Sequence, residues 1–217
     1  MHPNLLSQLQ QIGTGASFIV FPLVFVFAFA AHPHLLRPRL LKPEAIMLRA
    51  RGRKRLHLGH ALVLLDTALL VVAAFHFMKI LSGGRGEWAG FIGAILAVLG
   101  AIILAADKGT LCLTMSAMDT LPDDEFSAMT PGLRAMFAKK GWMKLLWGLP
   151  LLPAGFAIQA VGLLQAHALP SGETVLFMIG VLFVGTPDGL EIVNLGASLL
   201  MALGMVPYGI RLVAAAF

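Results

Sequence analysis

The stretch LGHALVLLDTALLVVAAFHFMKIL, residues 58–81, decides the fold. A helix rises about 1.5 Å per residue, so this run is long enough to cross the roughly 30 Å hydrocarbon core of a bilayer as one span. Leucine, valine and alanine surround it on every side, and its one acid, Asp66, stands near the middle. A helix on a soluble protein keeps a polar face for water, and this run lacks one.

Working outward, residues 12–31, 88–106 and 145–165 repeat the pattern. The last apolar region, residues 174–217, is too long for one span and breaks at Gly185-Thr186-Pro187-Asp188-Gly189. The expectation is an all-α integral membrane protein, a bundle of about six transmembrane helices. Its spans fall at about 12–31, 58–81, 88–106, 145–165, 172–186 and 190–213, within one polytopic domain over residues 1–217. The run 172–186 is short for a full crossing, and a re-entrant half-span is the alternative there. Residues 12–31 read as an uncleaved first span, because residues 1–15 contain no Lys or Arg and a secretory signal needs a positive leader. Pro150 and Pro153 predict a kink in the 145–165 span.

Charge orients the bundle. All of the sixteen Lys and Arg residues except Lys79, Arg85 and Arg211 lie in two segments, 32–57 and 107–144. Cytoplasmic loops carry the excess of Lys and Arg, so both segments read as cytoplasmic and the N-terminus as external, periplasmic in a bacterial inner membrane. The second segment is an amphipathic insert between the third and fourth spans, with Asp123, Asp124 and Glu125 matched to a helix dipole. Arg37, Arg39, Arg49, Arg51, Arg53, Lys54 and Arg55 are expected to face anionic lipid head groups. The net charge of +5 is therefore topological. A nucleic-acid surface would interleave aromatics with cations on one face, and that pattern is absent, so no nucleic-acid partner is expected.

The bulk composition agrees. Apolar residues make up 58% and charged residues 12% of the 217, with a mean hydropathy of +0.85. Soluble domains carry about 25% charge, so an ordinary cytosolic enzyme is excluded, as is a disordered tail. Cys112 is the single cysteine, which excludes a disulfide-stapled module.

Few residues carry chemistry. An acid at mid-membrane depth costs about 2.5–3.5 kcal/mol to insert, so Asp66 must be protonated, paired or turned to an aqueous cavity. Thr67, Gln159 and Asn194 are the partners available to a purely fastening Asp66. Asp188, Glu191 and Asn194 recur at three-residue spacing and share one side of the last helix. Thr186 as cap, Pro187 at the first position and first-turn acids explain that segment structurally; a discontinuity at membrane depth would make it a site. His60 stands nearer the cytoplasmic face than Asp66 but about 120° away around the helix.

His60 and His76 share one helix about 24 Å apart by rise, which disfavours an intrachain haem. His32, His34, His57 and His60 flank the first two spans, but surrounding Arg and Lys would repel a cation. No metal and no cofactor are expected. Gly90, Gly93, Ala94, Ala97, Gly100 and Ala101 form a small-residue stripe suited to close helix packing. Lys79 and Arg211 read as snorkelling residues at helix ends. Walker, HExxH, CxxC and dinucleotide-binding motifs are absent.

The leading functional expectation is small-solute or proton-linked transport, or ligand binding, through a buried acid. Its candidate residues are Asp66, His60, Asp188, Glu191 and Asn194. The alternatives are a non-catalytic accessory subunit docking its small-residue stripes on protein partners in the membrane, and a membrane-embedded enzyme using acid catalysis on a lipid-like or isoprenoid substrate.

Overall fold

The computed structural model describes residues 5–33, 35–138, 150–186 and 189–217. Among them every regular element is helical: α1 Leu5–Ala30, α2 Pro43–Ala50, α3 Lys54–Leu81, α4 Glu87–Met118, α5 Asp123–Phe137, α6 Leu151–Ala166, α7 Ser171–Phe183 and α8 Glu191–Ala214. Four of these, α1, α3, α4 and α8, are long and apolar enough to cross a membrane. Two shorter apolar helices, α6 and α7, complete the bundle.

Contacts close the six into a ring. α1 packs on α3 and α8, α8 on α7, α7 on α6, α6 on α4, and α4 on α3. Because lipid is as apolar as leucine, hydrophobic burial does not drive such contacts; close backbone approach does. A Cβ added at Gly15 of α1 would stand 2.7 Å from Gly209 O of α8, and one at Gly180 of α7 would stand 2.7 Å from Ala197 O. The stripe on α4 is consumed the same way: a Cβ at Gly93 would lie 2.7 Å from Gly155 O of α6. Gln159 ties the third neighbour in, donating to Ala74 O on α3 at 2.8 Å and to Gly90 O on α4 at 3.1 Å. The opposite faces of the long helices leave Leu65, Trp88, Ile102 and Leu203 exposed, an apolar exterior suited to lipid.

Two boundaries differ from the sequence reading. α4 continues past residue 106 to Met118, because Asp107 and Lys108 pair with each other at 3.2 Å and leave the helix unbroken. The next helix, α5, follows only at Asp123. Pro150 occupies the N-cap position of α6 and Pro153 sits in its first turn; residues 139–149, on the other side of the kink expected in the 145–165 span, lie outside the described residues.

α2 and α5 pack together beside the bundle, burying Met47, Phe126 and Leu133. Arg51 joins them, pairing with Asp123 at 2.8 Å while its guanidinium lies 3.9 Å from the Phe126 ring centroid. Asp119 continues the seam, accepting from Gly52 N at 2.8 Å and standing 3.3 Å from His57 Nδ1.

Candidate functional site

Along the ring axis the two halves of the bundle differ. One half is filled by phenylalanine: Phe18, Phe21, Phe77, Phe156 and Phe177 are almost wholly buried, with Phe77 centred 5.0 Å from Phe18, 6.3 Å from Phe156 and 5.7 Å from Phe177. Beyond it, His76 and Tyr208 share a 2.6 Å hydrogen bond and Glu173 pairs with Arg211 at 2.7 Å. Arg211 thus bridges α7 and α8 instead of simply reaching for solvent.

The other half encloses a cavity of about 510 Å³. That is within the size range of small-molecule sites, roughly 300–1,000 Å³. Its walls come from the C-terminal ends of α1, α4 and α7 and the N-terminal ends of α3, α6 and α8, with α2 contributing. Phe25, Val63, Leu104, Leu152 and Leu182 give an apolar surface, and His32, Arg49, His57, His60, Asp107, Lys108, Glu191 and Asn194 give a polar one. This is the end of the bundle that carries the basic segment 32–57.

Each polar group has a local reason to be there. Glu191 opens α8, where the dipole favours an acid; it accepts from Gly189 N at 2.8 Å and faces His32 Nδ1 at 3.5 Å and Arg49 Nη1 at 3.8 Å. Asn194 fastens the break between α7 and α8: its Oδ1 accepts from Gly185 N at 2.7 Å and Thr186 N at 2.9 Å. Capping from inside the helix replaces the cap expected from Thr186, and Leu190 at the N-cap position makes no side-chain bond. Gly189 has φ 101°, which an L side chain rarely adopts, and its carbonyl accepts from Arg39 N at 2.9 Å. The break is thereby stitched to the basic segment. His60 and His32 stand edge to face with centroids 5.5 Å apart. His57 is held by Ala50 O at 3.0 Å and by Asp119.

His60, Glu191 and Asn194 thus meet at one cavity, whereas Asp66 does not line it. Asp188 and His34 lie outside the described residues. Asp66 is 2% exposed, and neither of its carboxyl oxygens has a hydrogen-bond partner among the described residues. The partners considered from sequence are engaged elsewhere: Thr67 donates to Leu64 O at 2.6 Å, Gln159 to α3 and α4, and Asn194 to the break. Asp66 lies on the buried face of α3 that runs from Val63 on the cavity wall to Leu70, Ala73 and Phe77 at the phenylalanine cluster.

Sequence reasoning missed Arg49 and Asp107 as cavity residues. Arg49 stands in a run of exposed cations, and only its position between buried Met47 and Ala50 on α2 separates it from Arg53 and Lys54. Asp107 next to Lys108 reads as an interfacial pair. Among the described residues no group of three His, Cys, Asp or Glu side chains is placed to hold a metal ion.

An all-helical chain with four long apolar helices, an apolar exterior and a polar-headed cavity at one end belongs to the class of membrane proteins. No family model matches the chain, and no curated protein or solved structure matches it either.

Proposed function

We propose that this chain is a six-crossing solute-binding protein of a bacterial inner membrane that moves a small amphipathic solute, with its N-terminus on the outer face. The observation that carries the reading is the 510 Å³ cavity, whose apolar walls and charged head lie at the end of the ring bearing the basic segment. The excess of Lys and Arg in 32–57 and 107–144 puts that end on the cytoplasmic side. α6 and α7 span about 24 Å and about 20 Å by rise and pack in the ring between α4 and α8, which supports counting them as two further crossings. The exposed Arg37, Arg39, Arg53, Lys54 and Arg55 then face anionic head groups, while Arg49 and Arg51 turn inward.

Asp66 supplies the coupling. It stands on α3 between the cavity and the phenylalanine plug, where a solute path along the axis is closed. A carboxyl at that depth takes up and releases a proton as the path opens to one side or the other. The accessory-subunit reading loses its main support, because Gly93, Ala97 and Gly100 pack within the chain against α6.

The test uses proteoliposomes and Cys112, the single thiol and a cavity-wall residue. Solutes that slow N-ethylmaleimide alkylation of Cys112 are then assayed for counterflow. The reading expects at least one solute to do both, with Asp66→Asn keeping thiol protection and losing proton-driven uptake. Unchanged proton-driven uptake in Asp66→Asn removes the coupling role, and a thiol that no solute protects removes the solute-binding role. Conversion of a protecting lipid-like solute to product would favour an enzyme.

A further inference from the structure

Two residues that line the cavity each carry a buried polar atom, of opposite kind, with no hydrogen-bond partner among the described residues. Asp107 Oδ1 has no hydrogen-bond partner among the described residues, although Oδ2 lies 3.2 Å from Lys108 Nζ and the side chain is 4% exposed. Arg49 Nη1 also has no hydrogen-bond partner, and Glu191 Oε1 at 3.8 Å is an ion-pair neighbour only. One atom needs a donor and the other needs an acceptor. Native proteins leave few such groups unsatisfied, and those they leave call for a missing partner. Here the two come from different helices, α4 and α2, and line one cavity whose remaining wall is largely apolar.

We infer that the cavity takes a zwitterion that joins a primary ammonium to an anionic oxygen group and carries an apolar body. The ammonium donates to Asp107 and the anionic group accepts from Arg49. This rests on the solute-binding reading and narrows it to a ligand class. A simple anion would leave Asp107 unpaired and add repulsion from it and from Glu191. A simple cation would leave Arg49 unpaired and meet Lys108. A quaternary ammonium has no N–H to give, so the primary amine is the discriminating group. Phe25, Val63 and Leu104 accommodate the apolar body. The same chemistry comes from two sources, the ethanolamine head group of a phospholipid and a free apolar amino acid.

The experiment measures N-ethylmaleimide alkylation of Cys112 in full-length protein delipidated in detergent. The probes are short-chain phosphatidylethanolamine, phosphatidylcholine and phosphatidylglycerol, then leucine and N-acetyl-leucine. Phosphatidylethanolamine, leucine or both should protect the thiol at about tenfold lower concentration than phosphatidylcholine and N-acetyl-leucine, the counterparts without a primary ammonium, the scale of one satisfied charged hydrogen bond. Which of the two protects identifies the source, and either supports the inference. Asp107→Leu, which removes the acceptor, should erase the preference for the primary amine, and Asp107→Asn, which keeps an acceptor without the charge, should reduce it; Arg49→Gln should weaken both lipids. Because the readout is a ratio between probes on one folded sample, a general loss of stability does not mimic it. Equal protection by all head groups, or a preference that survives Asp107→Leu, overturns the zwitterion and leaves the cavity reading standing. Protection by no probe or other amphipathic solute overturns both.

Discussion

The two halves of the bundle are built from the same six helices and differ in what fills the axis. Among the phenylalanines the remaining void is about 10 Å³, room for at most a single water, whereas the basic end encloses about 510 Å³. In the filled half His76 pairs with Tyr208 and Glu173 with Arg211, and Gln159 donates to two helices although its Oε1 has no partner among the described residues. At the cavity end Arg49 and Asp107 each keep an unsatisfied atom. Where side chains interdigitate, sequence changes are felt as stability; where they leave space and unspent hydrogen bonds, changes are felt as binding.

That contrast is open to direct attack, beginning with the largest effect. Phe77→Ala, which removes the ring touching Phe18, Phe156 and Phe177, should cost about 3–5 kcal/mol in reversible unfolding of the detergent-solubilised protein. A cost below 1 kcal/mol would mean the plug is not close-packed. Asn194→Ala frees Gly185 and Thr186 N–H groups at once and should cost about 1–3 kcal/mol, with new proteolysis between α7 and α8. If the junction stays resistant, the break is held by something other than Asn194. Arg51→Gln removes the Asp123 pair and the stacking on Phe126 and should cost about 1 kcal/mol, much of it surviving high salt because the ring contact is retained less well by a neutral amide. Loss of the whole effect in salt would assign it to the ion pair alone. Leu111→Trp, on the cavity wall, should change stability by less than about 1 kcal/mol because space is available for the larger side chain. The same variant should abolish ligand protection of Cys112, and retained protection would show that the solute does not occupy this volume.

The helical segments and the placement of charge were legible because each depends on local composition. Residues 58–81 read as a spanning helix from their own side chains, and α3 covers them. The boundary at Asp107 was misread because a charged pair usually marks the membrane surface, and here the two side chains neutralise each other within a continuing helix. The candidate residues separated for a similar reason. Spacing along the chain shows that Glu191 and Asn194 share a helix face, but their partners His32, Arg49 and Thr186 come from other segments. Helical periodicity set Asp66 and His60 about 120° apart on α3, but it could not tell which of the two faces a cavity that several helices wall.

By itself, the sequence determined that long apolar helices with cationic connections form this protein, because hydropathy and charge act residue by residue against the bilayer. Only the tertiary structure decided the order of the ring, the phenylalanine filling of one half and the cavity in the other. The reason is physical: lipid satisfies the outside of any apolar helix equally well, so helix pairing is settled by where small residues such as Gly15, Gly93 and Gly180 let backbones touch.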